Sequence, residues 1–373
     1  MLVLAFVASG CNTPPKPVAK PVAVDDGLAF DAAMEAIATN LVTQLQPPTS
    51  TGAQAVIDRI RAATQTPART LVVVDPFVDA QNGYAVVVGK RMQDAIAATA
   101  GSYLKTFDFQ TLTADALAKS GYVMSGSISF DDRGEGRSGK AYRVSVAMTN
   151  TKTGVVAAQS SAWLSDRTLA MAPLPIYQDS PVFLNDRYTK GLVETASSPP
   201  GRPAETTYFA QLSTAALIAE GQQAFAADDS RNSLALYQRA ETRPDGKTMK
   251  VYTGLYVTHL KMGNLSEAER VFGQLIAVAF QENNLSIRFL FRVNSVDFIT
   301  EPRLNQQYRI WARQLAQMYV GWAEEHGCEV RSEEYDGAVE LKIEGPYAFG
   351  YLKGEAGGHR LIRAPGAIPA FRG

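Results

Sequence analysis

The sequence predicts an α+β multidomain protein, with an α/β layered N-terminal domain, a helical-repeat middle and a small α+β C-terminal segment. Three observations predict this. A β-branched run at 69–77, a strand-like run at 122–130 and alternating runs at 141–149 and 155–163 sit among amphipathic stretches. Residues 206–284 then keep helical spacing with a self-similar outline. A long helical stretch at 304–327 finally opens the C-terminal segment.

The chain opens on an apolar run that stops at Ala8, Ser9, Gly10 and Cys11. It is too short to span a bilayer, which takes about 20 apolar residues, and it reads as the core of a secretory signal over 1–11. Residues 12–27 are a Pro-rich tether that cannot build a core. Phe30, Ala33, Met34, Ile37, Leu41 and Leu45 recur at helical spacing, and Pro47 and Pro48 end that helix. Ala55 to Ala63 is a second helical patch. Arg69 to Phe77 is a short buried strand closed by Pro76, and Gly89 to Ala100 returns to helix. A short helix at 112–119 and a strand from Tyr122 to Phe130 come next. The runs 141–149 and 155–163 flank Asn150 to Gly154 as a β-hairpin.

Residues 167–205 carry Pro173, Pro175, Pro181, Pro199, Pro200 and Pro203, which predicts a linker or an extended loop packed along a neighbour. Beyond it the helical outline repeats. Ser233 is matched by Ala268, and Tyr237 by Phe272, at a period near that of helical-hairpin repeats (about 34 residues). Small residues let paired helices approach, and a ring four positions later fills the gap between hairpins. The alternative is a plain helical bundle. Leu285 to Asn294 alternates like a strand, 295–302 reads as a loop, and Leu304 to Gly327 as a long helix.

Several of these stretches resemble known families. Ala8-Ser9-Gly10-Cys11 is similar to a bacterial lipobox. That resemblance implies lipidation of Cys11, and Asn12 after it implies retention at the outer membrane, on its periplasmic face. Residues 28–166, with Val74 to Phe77 ending the first strand and Gly89 opening a helix, resemble FlgO-like and CsgG/LpoB-like domains of envelope lipoproteins. Residues 206–284 resemble tetratricopeptide repeats, which implies protein-binding repeats built on Ser233, Tyr237, Ala268 and Phe272. Residues 285–310 resemble the start of an OmpA-like peptidoglycan-binding domain, but no residue of that family's ligand site can be carried over.

The tail resembles a different family. Trp311, Ala312, Leu315, Met318, Tyr319, Trp322, Ala323, Glu324 and Gly327 keep the spacing of the central domain of a bacterial class I peptide chain release factor. Val339 to Gly345 and Tyr347 to Arg363 continue the match, and Gly357, Gly358, His359 and Arg360 form the family's turn. Pro365-Gly366-Ala367 stands where the family's Ser-Pro-Phe is expected. The sequence stops at Gly373, before a Gly-Gly-Gln loop, so ester hydrolysis is not expected. Residues 311–373 therefore read as a release-factor-like fragment joined to envelope-like domains, which makes the chain a hybrid.

Composition excludes some functions. With 46% hydrophobic residues, 20% charged residues and a formal net charge of -1, a broad DNA-binding surface is not expected. If Cys11 carries lipid, Cys328 is alone, which leaves no disulfide and no cysteine-rich metal site. His259, His326 and His359 have no metal-type spacing. Gly134 to Gly139 satisfies a Gly-x-Gly-x-x-Gly pattern, but a strand follows it rather than a helix, so it reads as a hairpin loop. No catalytic residue, metal or cofactor is expected. Two functions stay open. One is a non-enzymatic outer-membrane lipoprotein scaffold, contacting the membrane through Cys11, envelope proteins and peptidoglycan. The other is a cytoplasmic, ribosome-associated protein related to release factors.

Overall fold

The structure, a computed structural model, describes residues 27–45, 69–131, 141–165, 169–282, 284, 313, 316–335 and 338–345. Helix α1 (Phe30–Leu45) buries Phe30, Ala33, Met34, Ile37, Ala38, Leu41 and Val42 along one stripe. The sheet is ordered β3 (Phe107–Thr111), β1 (Thr70–Val74), β4 (Tyr122–Asp131), β5 (Ala141–Asn150) and β6 (Val156–Leu164), with β2 (Val78–Asp79) added beside β4, so β1 lies between β3 and β4. β3 and β4 both pair parallel to β1. β5 and β6 extend the sheet antiparallel. The turn after β5 is held by Asn150 Oδ1, which accepts from Lys152 N and Thr153 N, and closes at Gly154 with φ 69°.

Both faces of the sheet are covered, as parallel strands require. α1 and α2 (Val87–Tyr103) pack on one face, where Val72, Val74, Met124, Ile128, Val144 and Val146 join Met34, Ile37, Met92 and Ile96. Val73 and Val123 point the other way, as the two-residue strand period dictates. They meet α3 (Ala114–Lys119) and three helices from later in the chain: α5 (Arg187–Ser197), α6 (Thr206–Ala210) and α7 (Leu212–Ala226).

This corrects the expected linker. Residues 169–205 hold α4 (Pro175–Gln178) and α5, and α5 buries Tyr188, Leu192 and Ala196 under the sheet. The stretch between Pro181 and Pro199 is free of proline, and Asp186 starts a helix there by accepting from Thr189 N at 2.8 Å. The α/β layer and the helical region consequently share one core, with no free tether between them. Strands β2 and β3 were not expected either. β2 is two residues long, and β3 is a short edge strand whose Gln110 and Thr111 are exposed. Neither leaves a period that can be read in sequence.

The helical middle stacks α7, α8 (Ser230–Glu241), α9 (Met249–Lys261) and α10 (Leu265–Gln281) around one apolar cluster. Ser233, Tyr237, Ala268 and Phe272 are all fully buried between these helices. Ser233 Oγ donates to Gly221 O at 3.0 Å, and Phe272 meets the Tyr256 ring at a centroid distance of 5.2 Å. The expected protein-binding positions thus hold helix against helix. They have no surface to offer a partner, and any partner would meet the outer faces instead.

The tail contributes helix α11 (316–325) and the hairpin β7 (Glu329–Tyr335) and β8 (Ala338–Glu344). Met318 and Tyr319 seat α11 on the apolar cluster of the helical middle. Ala323 and Cys328 form a small second core with Trp322, Val330 and Ile343.

The Tyr237 ring is held between two helix glycines. A Cβ on Gly254 would lie 2.1 Å from Tyr237 Cε1, and one on Gly221 would lie 2.8 Å from Cε2. Ala in an open helix gains roughly 1 kcal/mol over Gly. Here overpacking a buried ring costs about 1–3 kcal/mol and wins. Gly254→Ala is expected to lower the urea midpoint, and a raised midpoint would refute this packing.

Candidate functional site

In open α/β sheets, ligands bind beyond the carboxyl ends of the parallel strands. In this chain that position, after β1, is Asp75. Its backbone is fixed on both sides: Asp75 N donates to Met124 O at 2.9 Å, and Gln93 Nε2 donates to Asp75 O at 2.7 Å. Its carboxylate is sealed from water by helices of the later chain. Tyr188 Oη from α5 donates to Asp75 Oδ2 at 2.8 Å. Tyr208 from α6 packs on Tyr188 at 5.3 Å between ring centroids, with its own hydroxyl buried near Asp75 and Ser125. Lys250 from α9 places Nζ 4.7 Å from the Tyr188 ring centroid.

The electrostatics follow from burial. Asp75 is 4% exposed, and loss of hydration pushes its carboxyl up, opposed by the Tyr188 hydroxyl and the Lys250 charge. Burial pulls the Lys250 ammonium down, opposed by the carboxylates of Asp186 and Asp75. The Tyr188 and Tyr208 hydroxyls are both pushed well above the ordinary tyrosine range by burial, and then by Asp75. Lys250 makes no direct hydrogen bond to either carboxylate among the described residues. Asp186 spends Oδ1 on the α5 cap, while Oδ2 is buried without a protein partner. A cavity of about 10 Å³ lies beside it, lined by Asp186, Tyr188, Thr214, Thr248 and Lys250 among others.

Chemically, the cluster is a latch. One buried lysine balances two buried carboxylates drawn from the sheet and from α5, and two tyrosines close it. Leaving a buried charge without its balancing partner is destabilising, so the cluster ties the helical region to the sheet. Sequence reasoning read Asp75 only as the end of a strand and did not single out Lys250, Asp186, Tyr188 or Tyr208. The available signal was a lysine amid the apolar residues Met249, Val251 and Tyr252.

The other residues singled out from the sequence do not join this cluster. Cys11 and the turn of Gly357, Gly358, His359 and Arg360 lie outside the described residues, as do the tether and the stretch 285–310. Ser233, Tyr237, Ala268 and Phe272 lie in the helical core. His259 is buried, and its ring is pulled below the ordinary histidine range by burial. His326 ends α11, with Nδ1 2.7 Å from Trp322 O and its ring stacked on Trp322 at 4.4 Å. Among the described residues there is no group of three His, Cys, Asp or Glu able to hold a metal. No helix among them is long and apolar enough to cross a membrane.

Comparison with known proteins finds a likeness in the tail. Residues 306–367 match the PCRF domain. Peptide chain release factor 2 of Thermotoga petrophila is 43% identical over 60 residues, covering 14% of this chain and 16% of that protein. Peptide chain release factor 2 of Chloroflexus aggregans is 45% identical over the same length and shares. The chain therefore spans about a sixth of the length of these relatives. No solved structure matches it. The PCRF match begins at 306, so Gln307 to Ile310, read above as part of an OmpA-like start, fall inside a release-factor-like segment. The envelope resemblances of residues 1–310 gain no support from these comparisons.

Asp75 generates a pH-dependent prediction. Its native pKa stands above the ordinary 3.8, so as pH rises through that interval the unfolded chain releases the proton first and stability is lost. The stability of the wild type relative to Asp75→Asn should therefore be greatest in acid and fall toward neutral pH. Urea titrations at several pH values measure it, and a difference that stays flat or rises would contradict the assignment.

Proposed function

We propose that this is a release-factor-related protein that associates with the ribosome through residues 306–367, which the rest of the chain presents on a helical platform. The PCRF match over those residues carries the reading. The packing of Met318 and Tyr319 on the helical middle supports it, because it attaches the segment to a body able to hold it. Glu324, Glu325 and the strand residue Arg331 are exposed on the surface of this segment. A cytoplasmic location and a role in translation termination belong to this reading. The full chain should co-sediment with ribosomes, and a variant deleted for 306–367 should remain in the supernatant. Failure of the full chain to pellet would end this reading.

A second reading is kept because one observation favours it: Ala8, Ser9, Gly10 and Cys11, followed at once by the Pro-rich stretch. Under it the chain is a non-enzymatic, lipid-anchored scaffold, and the α/β layer and helical stack contact envelope proteins. A palmitate analogue should then label the wild type and not Cys11→Ala. An unlabelled wild type, or label persisting in the variant, would remove it.

A further inference from the structure

The cavity beside Asp186 belongs to neither reading of function. Three helices meet there: α5 brings Asp186 and Tyr188, α7 brings Thr214, Ala215 and Ile218, and α9 brings Lys250. Gln211 and Thr248, at the starts of α7 and α9, complete the lining. Its walls hold one buried cation and one buried anion, 6% and 1% exposed, which do not touch each other. Two ions held apart in a low-dielectric interior each keep a desolvation penalty of several kcal/mol unless something polar stands between them.

The dimensions say what can stand there. A space of about 10 Å³ is on the scale of one water molecule. The polar groups are suited to it. Asp186 Oδ2 is an acceptor without a protein donor, so it can receive a water hydrogen. Lys250 Nζ offers donors to the water oxygen. Thr214 Oγ1 accepts from Arg243 Nε at 2.7 Å, which leaves its own hydroxyl hydrogen free to donate. Thr248 Oγ1 accepts from Val251 N in the same way. A buried water typically takes about three such partners.

We propose that this cavity is a binding site for one ordered water molecule, which bridges the Lys250 ammonium to the Asp186 carboxylate. The bridge joins α5 to α9 and completes the latch on the sheet. The buried Asp186 carboxylate disfavours an anion, and the site's opposite charges favour a ligand that both donates and accepts.

Two measurements on the full chain test this. A crystal structure at high resolution should show one peak within hydrogen-bond distance of both Asp186 Oδ2 and Lys250 Nζ. An empty cavity, or Lys250 Nζ bonded directly to Asp186, would overturn the proposal. Lys250→Met should lower the thermal midpoint by several degrees, because it strands the carboxylate and its water. Adding Asp186→Asn to that variant should recover part of the loss, since Asn keeps the α5 cap while removing the stranded charge. A Lys250→Met chain as stable as the wild type, or no recovery in the double variant, would count against the bridge.

Discussion

A parallel strand must be buried on both faces, and from within its own α/β stretch this chain covers one face fully but the other only with the short helix α3. α1 and α2 take the face of Val72, Val74 and Met124. The opposite face, with Val73 and Val123, is covered beyond α3 by α5, α6 and α7, which arrive more than sixty residues after β4 begins. The rest of the structure depends on that cover. It turns the proline-punctuated stretch into a packed layer. It also brings Tyr188 and Tyr208 over the carboxyl end of β1, and sets the first helix of the helical stack directly on the sheet. Glu220 of α7 shows how close the joint is, since its Oε1 accepts from Ala114 N at the start of α3 at 2.6 Å.

The sheet's β6 edge is managed with comparable economy. An edge strand exposes backbone groups that invite pairing with another chain. In β6 the groups of Gln159 are taken up by a single side chain: Gln159 N donates to Gln44 Oε1 at 3.0 Å, and Gln44 Nε2 donates to Gln159 O at 2.8 Å. Leu28 bridges the far end of the strand beside Leu164, and Gly201 and Arg202 bond Val156 at its start. The element before the sheet and the element after it therefore close the same edge, which again binds distant parts of the chain into one body.

The tail follows a different logic. Its small core of Ala323 and Cys328, with Trp322, Val330 and Ile343, is too slight to stand alone, and α11 leans on the helical middle through Met318 and Tyr319. Gly345 is pressed against Cys328, where a Cβ would meet Sγ at 2.6 Å. Among the described residues, the part of the release-factor-like segment that meets the helical stack does so through the apolar side chains of Met318 and Tyr319.

What could be read from residues alone was local. Period and composition located α1, β1, α2, β4 and the β5–β6 hairpin to within a few residues, because each has a long stripe or a clean alternation bounded by Pro or Gly. The spacing of Ser233 with Ala268 and Tyr237 with Phe272 marked the buried seam of the helical stack, and Trp311 to Gly327 pointed to the release-factor match. The short edge strands β2 and β3 and helix α5 were invisible, because nothing in five polar-apolar residues, or in a helix between prolines, distinguishes them from loop. The latch was decided by tertiary structure alone. Asp75, Asp186, Tyr188, Tyr208 and Lys250 are spread over 175 residues, and their chemistry arises only when the partly covered face of the sheet draws the later helices onto it and excludes water from their charges.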